Sequence, residues 1–107
     1  MLNFLLLLVL GLVGTHQPAC GTHVVAGDAD NGSSVCVANG SDVSVVLTYP
    51  WSSPTVTGHA LGPAMPLPTP YGRVGWQFRA IAAGQAEIVT TRPDHPGIVY
   101  DLHVTVR

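Results

Sequence analysis

The sequence contains no lysine and only four basic residues, Arg73, Arg79, Arg92 and Arg107. Proteins that bind nucleic acids neutralise several phosphates with basic side chains that are clustered on one surface. Four separated arginines do not form such a surface, so nucleic acid is excluded as a partner. The six acidic residues bring the formal net charge to -2, and this charge is too small to attract a charged partner over a distance.

Long hydrophobic runs are also missing. The longest, 2–13, has the sequence LNFLLLLVLGLV and is shorter than the ~20 residues that a membrane-spanning helix needs. A run of this length followed by small and polar residues is typical of a secretory signal peptide. We therefore predict a leader over 1–21 and export of a secreted or cell-envelope protein. The remaining 22–107 have room for one small domain.

Two processing routes remain open for this leader. Cleavage after Gly21 would use Ala19 and Gly21 as the small residues that a signal peptidase requires. Lipoprotein processing would instead attach a lipid to Cys20, although Gln17 is a poor residue for a lipobox. A lipid anchor at Cys20 is therefore the one membrane association that the sequence offers.

Cysteine is scarce, and Cys20 and Cys36 are the only two. In an exported chain they can form a disulfide. The bridge would close a loop of about 15 residues and add about 3 kcal/mol to the stability of a small domain. It cannot form if Cys20 is lipidated or is removed with the leader. Cys36 would then be a buried apolar residue of a short strand.

The most informative stretch is 72–90, GRVGWQFRAIAAGQAEIVT, in which apolar residues occupy every second position. This period of two predicts buried strands. The alternating positions are Trp76, Phe78 and Ala80, and then Ala86, Ile88 and Thr90. Gly84 separates the two sets, so the segment is predicted to be two strands joined either by a hairpin or by a corner between sheets.

The first half of the chain predicts a meander of short antiparallel strands. Apolar stretches at 22–27, 35–38 and 43–47 are separated by the turn DADNGSS and by Asn39-Gly40, which suits a type I′ turn. The oxygen-bearing residues of DADNGSS lack the spacing and the closing Glu of a calcium loop, so we interpret the segment as a plain turn. The alternating segment 98–107 is predicted to close the sheet.

The middle segment, 49–71, has six prolines. Because proline removes ladder hydrogen-bond donors, we predict long loops here, with an edge strand around 59–61. About seven short strands without a helical period favour an all-β, immunoglobulin-like antiparallel sandwich, with a small open barrel as the alternative. The predicted core contains Val43, Val45, Leu47, Trp76, Phe78, Ile88, Tyr100, Leu102 and Val104.

The segment GRVGWQFRAIAAG, 72–84, resembles the chagasin-like inhibitors of cysteine peptidases, which are Ig-like sandwiches that insert three neighbouring loops into a papain-type active-site cleft. Arg92-Pro93 corresponds to the family's Arg-Pro-Trp loop, with Asp94 in place of the Trp, and SPTVTG at 53–58 is similar to its Asn-Pro-Thr-Thr-Gly loop. The resemblance implies that 52–58, 71–75 and 92–97 lie together and bind a papain-like peptidase or another extracellular protein. The candidate contact residues are Trp51, Pro54, Thr55, Gly58, Gly72, Arg73, Arg92, Pro93 and Asp94.

Two readings of this resemblance stay open. The segment 72–90 is also similar to bacterial Ig-like repeats, which implies an extracellular structural or adhesion domain without inhibitory activity. Trp51 is predicted either to be a contact residue or to pack over the end of the sandwich.

No pattern of reactive side chains indicates an enzyme. The histidines lack metal-ligand spacing such as His-x-x-x-His, and the serines lack the context of an activated nucleophile. Asp94 and His95 are neighbours in the chain, and neighbouring side chains seldom form a useful acid-base pair. We therefore predict a protein without catalysis, cofactor or metal.

Overall fold

The alternating apolar residues of the sequence form two four-stranded β-sheets that pack face to face, in a computed structural model that describes residues 20–107. The strands are β1 (Val24–Ala26), β2 (Ser34–Val37), β3 (Asp42–Thr48), β4 (Thr55–Gly58), β5 (Met65–Leu67), β6 (Arg73–Arg79), β7 (Gly84–Thr91) and β8 (Val99–Val106). One 3-10 turn, Asp28–Asp30, follows β1. No helix in this part of the chain is long and apolar enough to cross a membrane. The predicted leader lies outside the described residues, apart from Cys20 and Gly21.

The first sheet has the strand order β1-β3-β6-β5 and the second has the order β2-β8-β7-β4. Each central strand places alternate side chains between the sheets, as the burial of β3 and β8 shows. All nine predicted core residues are buried, and Phe78 and Leu102 are both 0% exposed. The immunoglobulin-like sandwich that the sequence predicts is therefore confirmed.

The predicted antiparallel meander is wrong for the first two strands. β1 pairs with β3 in parallel, and β2 pairs with β8 in parallel. Asn39-Gly40 consequently does not close a hairpin, because β2 and β3 belong to different sheets. Gly40 does have a positive φ of 91°. The alternation of a strand identifies its buried face, but it does not identify the strand with which it pairs.

Two other elements differ from their predictions, and one open alternative is decided. The edge strand expected around 59–61 is replaced by β4 before it and β5 after it, and Leu61 makes only an isolated bridge to Ala80. The strands β6 and β7 lie in different sheets, so the chain near Gly84 forms the corner and not the hairpin. The last strand, β8, lies inside its sheet between β2 and β7 and does not close an edge.

The predicted disulfide between Cys20 and Cys36 is present. Their Cα atoms lie 4.7 Å apart, within the usual range for a disulfide. Backbone hydrogen bonds hold the same two segments together: Gly21 N donates to Cys36 O over 3.1 Å, and Ala38 N donates to Gly21 O over 2.9 Å. The chain ahead of β1 is therefore tied to β2 by both covalent and hydrogen bonds.

Candidate functional site: the loop end of the sandwich

Three loops lie at one end of the sandwich, which we call the loop end: 49–54, 68–72 and 92–98. The strand register places them there. Thr48 at the end of β3 pairs with Arg73 at the start of β6. Thr55 at the start of β4 pairs with Val89 near the end of β7. The connections of both sheets therefore meet at this end.

The first loop is held between the other two by hydrogen bonds. Tyr49 N donates to Gly72 O over 2.9 Å, which joins 49–54 to 68–72. Ser52 N donates to Thr91 O over 3.0 Å, and the buried Thr90 hydroxyl donates to Ser52 O. These bonds join 49–54 to 68–72 and to the end of β7, from which the 92–98 loop begins.

Trp51 packs over the end of the core. It is partly buried against the core cluster, and its ring meets that of Tyr100 edge-on, with centroids 6.0 Å apart and planes at 71°. The guanidinium carbon of Arg92 lies 5.9 Å from the Trp51 ring centroid, within the range of a cation–π contact. Of the two positions predicted for Trp51, the structure has the packed one. Trp51 supports the loop end from below.

Arg92 is bound to Asp94. Arg92 Nε and one terminal nitrogen donate to the two Asp94 carboxylate oxygens over 3.1 and 2.9 Å. This bidentate hydrogen bond is the main reason why the pKa of Asp94 lies below its ordinary value and the pKa of Arg92 lies above its own. Both groups are partly exposed. The 92–98 loop therefore presents a neutralised ion pair where the chagasin-like pattern has a tryptophan.

The depressed pKa of Asp94 gives a testable prediction. A carboxyl whose folded pKa is lowered contributes stability above its ordinary pKa, and that contribution is lost as the pH falls through the folded value. Replacing Arg92 with glutamine should raise the pKa of Asp94 toward the ordinary aspartate value. Carboxyl-carbon NMR titration measures this change, with the exposed His59 changed to glutamine as the control. An unchanged pKa in Arg92→Gln would show that the ion pair does not form in solution.

The exposed aromatic residues of the loop end are Tyr49 and Tyr71. Tyr71 is 105% exposed and Tyr49 is 67% exposed. They border a groove of about 680 Å³ between 49–54 and 68–72. Its lining residues are Thr48, Tyr49, Thr69, Pro70, Tyr71, Gly72 and Arg73. Sequence reasoning did not select either tyrosine, although Tyr49-Pro50 and Pro70-Tyr71-Gly72 are aromatic residues beside proline in loops. That position is the signal that could have identified them.

The predicted contact residues divide by location. Trp51, Gly72, Arg73, Arg92, Pro93 and Asp94 lie at the loop end, and Arg73 and Asp94 are exposed there. Pro54 is buried, and Thr55 begins β4 at this end. Gly58 lies away from it, because it pairs with Ala86 near the other end of β7. A Cβ at Gly58 would lie 2.5 Å from Gln85 O, so glycine is needed there for close packing.

A fourth segment, 27–32, borders the loop end. The Asp28 carboxylate accepts hydrogen bonds from Thr48 N and from the Thr48 hydroxyl. Asp30 accepts from Gly27 N over 2.7 Å, and Asn31 Oδ1 accepts from Asp101 N over 2.9 Å. The oxygen atoms of this turn therefore hold the chain against β3 and β8.

Tyr100 joins the same turn to the core. Its hydroxyl donates to Gly27 O over 2.9 Å. Burial, together with the nearby charges of Asp30 and Asp28, raises the pKa of Tyr100 to about 12. The hydroxyl keeps its proton at neutral pH and remains a donor. The Tyr100 ring, which packs against Trp51, is therefore held by the core around it and by the hydrogen bond of its hydroxyl.

Solved structures with the same fold include inhibitors of cysteine proteases. The cysteine protease inhibitor EhICP2 from Entamoeba histolytica has a TM-score of 0.60 at 12% identity, over 85% of this chain and 100% of that one. Amebosin has a TM-score of 0.52 at 20% identity, over 81% and 100% of the two chains. PbICP-C, solved in complex with falcipain-2, has a TM-score of 0.50 at 12% identity, over 85% and 96%.

These likenesses confirm the predicted resemblance at the level of the fold. No protein-family profile matches the sequence, and no curated protein matches it significantly. Sequence identities of 12–20% carry no information about shared contact residues. What this chain binds must therefore be argued from its own loop end.

Proposed function

We propose that this chain is an exported, non-catalytic inhibitor of papain-like cysteine peptidases that binds through the loop end. The observation that carries the proposal is the convergence of 49–54, 68–72 and 92–98 at one end of a sandwich. A ridge of three loops is the shape that can enter a peptidase cleft. The fold likeness to EhICP2, a cysteine protease inhibitor, supports this assignment.

The mutual hydrogen bonds of the loops favour tight binding. Association is weakened when loops must be ordered at the interface, and loops that are already fixed avoid that cost. In the free protein, Tyr49 N–Gly72 O joins the first loop to the second, and Ser52 N–Thr91 O joins it to the end of β7, next to the third loop. A peptidase would therefore meet a surface that is already in its binding shape.

Tyr71 and Tyr49 are the proposed anchors. Tyrosine combines a large apolar ring with a hydroxyl and is enriched among the residues that dominate binding energies. Tyr71 exposes its whole side chain beside Gly72 and Arg73. Trp51 contributes indirectly, because it holds Arg92 and hence the 92–98 loop in place. Pro93 and Asp94 form the exposed rim on that side.

Export is part of the proposal, because disulfides persist in oxidising compartments. The Cys20–Cys36 bridge requires that the mature chain keep Cys20 with an unmodified thiol. We therefore propose that the leader is removed ahead of Cys20, so that the domain begins there and not at Thr22. The intact mass of the exported protein decides this. An amino terminus at Thr22, or a lipid mass on Cys20, would contradict it.

The proposed activity is tested by titrating the purified exported chain against papain with a small peptide substrate. We expect one-to-one inhibition that is complete at micromolar protein, with the inhibitor recovered uncleaved. An unaffected peptidase at that concentration would overturn the proposal. It would leave the alternative of an extracellular Ig-like structural or adhesion domain. The Arg92–Asp94 pair favours that alternative, since it replaces an aromatic anchor with a neutralised surface.

A further inference from the structure

Three side chains with metal-binding atoms lie together on the outer face of the second sheet: Glu87, Asp101 and His103. Glu87 and His103 are direct partners across β7 and β8, and Asp101 precedes His103 by two residues on the same face. His103 Nε2 lies 3.7 Å from Glu87 Oε2 and 3.7 Å from Asp101 Oδ1. One donor atom from each residue lies within 4.8 Å of the other two. Paired strands hold the three side chains on a rigid base.

Within this cluster, the carboxylate oxygen Asp101 Oδ1 lacks a hydrogen-bond donor among the described residues. The atom is inaccessible to solvent and accepts no hydrogen bond from residues 20–107. A buried carboxylate oxygen without a donor is costly, and such atoms in native proteins usually have a partner. The nearest cationic group is the partly exposed His103 ring, at 3.7 Å, which is beyond hydrogen-bond distance. The oxygen is therefore placed to accept a positively charged ligand.

The electrostatics of the cluster favour a cation. Glu87 and Asp101 each bring a carboxylate oxygen to within 3.7 Å of the same His103 nitrogen. Two carboxylates that compete for one proton repel each other when both are ionised. A divalent ion would offset both negative charges at once.

We propose that Glu87, Asp101 and His103 bind a zinc ion on the outer face of the second sheet. One imidazole nitrogen and two carboxylate oxygens form a neutral site with a divalent cation, and zinc accepts both ligand types. Ligands about 2.0–2.2 Å from a tetrahedral zinc lie about 3.3–3.6 Å from one another. The His103 distances of 3.7 Å are close to that spacing. Small side-chain rotations complete it.

A shallow hollow of about 240 Å³ beside the cluster has room for a water molecule as the fourth ligand. Its lining residues are Thr57, Gly58, Gln85, Ala86, Glu87 and His103. The site lies on the outer face of β7 and β8, set back from the loop end by two residues at Asp101 and by four at Glu87 and His103. Zinc would stabilise the β7–β8 pair without entering the proposed peptidase interface.

Calorimetric titration of zinc into the full exported chain tests the proposal. The protein should be produced without a histidine tag and stripped of metal with a chelator. We expect one zinc ion per chain and a higher midpoint of thermal unfolding in its presence. His103→Gln and Glu87→Gln should each weaken zinc binding at least tenfold. His95→Gln and His59→Gln, which change exposed histidines outside the cluster, should leave the affinity within twofold.

Three results would overturn the site. These are no saturable binding at millimolar zinc, equal affinity in His103→Gln and the parent, or a calcium affinity equal to that of zinc. His103 is exposed and Glu87 is half-buried, so both variants should remain folded, which circular dichroism checks. Inhibition of papain is measured in parallel, and it should not depend on zinc. Loss of zinc binding therefore leaves the proposed inhibitory function separately testable.

Discussion

Replacing Phe78 with alanine is expected to lower the free energy of unfolding by about 3–5 kcal/mol. Phe78 is 0% exposed and lies near the end of β6, opposite Val43. The truncation removes apolar contacts with both sheets and leaves a cavity that the strands cannot fill. Because small domains have a total stability of about 5–15 kcal/mol, this single change removes a large part of it. Urea unfolding monitored by circular dichroism measures the loss.

Tyr71→Ala is the matched control for that experiment, since it also truncates an aromatic residue. Tyr71 is fully exposed, so its loss should change the free energy of unfolding by no more than about 0.5 kcal/mol. Equal unfolding midpoints for Phe78→Ala and the parent would mean that Phe78 is not in the core. The set of β6 side chains that is assigned to the core would then be incorrect.

The same Tyr71→Ala variant is expected to raise the inhibition constant for papain about thirtyfold. Truncating an aromatic anchor at the centre of an interface commonly removes 2 kcal/mol or more of binding energy, and about 1.4 kcal/mol corresponds to a factor of ten. Tyr71, beside the groove, is the most exposed aromatic residue among the described residues of the loop end. Residual papain activity against inhibitor concentration gives the two constants.

Ile81→Ala is the control for binding. Ile81 is 57% exposed, and its backbone pairs with Ala60 at the end of the sandwich opposite the loops. Its truncation should leave the inhibition constant unchanged. A Tyr71→Ala protein that inhibits as well as the parent would remove Tyr71 from the interface. A larger loss of inhibition for Ile81→Ala than for Tyr71→Ala would place the binding surface at the end of the sandwich opposite the loops.

The sequence was sufficient for the buried faces of the strands, but it offered the disulfide as only one of three fates of Cys20, beside lipidation and removal with the leader. A period of two assigns Val43, Val45 and Leu47 to the core because successive side chains of a strand point to opposite faces. It could not assign the parallel pairing of β1 with β3 or of β2 with β8. A strand shows the same alternation whether its partner is parallel or antiparallel. The pairing of strands that are distant in the sequence depends on how the sheets pack in space. The local alternation of apolar residues contains no information about it.

The site was harder to predict than the fold. The resemblance to chagasin-like inhibitors predicted that 52–58, 71–75 and 92–97 meet as loops, but 55–58 belongs to β4 and 73–75 belongs to β6. The Arg92–Asp94 ion pair and the stack of Arg92 on Trp51 depend on the conformation of two loops, and proline spacing alone does not define it. The Glu87, Asp101 and His103 cluster arises from cross-strand register, which also has no signature in the spacing of histidines.

Amide hydrogen exchange of the chain, with and without chemically inactivated papain, tests the proposed interface most directly. Binding through the loop end predicts slower exchange in 49–54, 68–72 and 92–98. The opposite end, represented by 38–41 and 80–83, should exchange at the same rate in both samples. Protection at that opposite end, or none at the loop end in a sample where the complex has formed, would contradict the assignment.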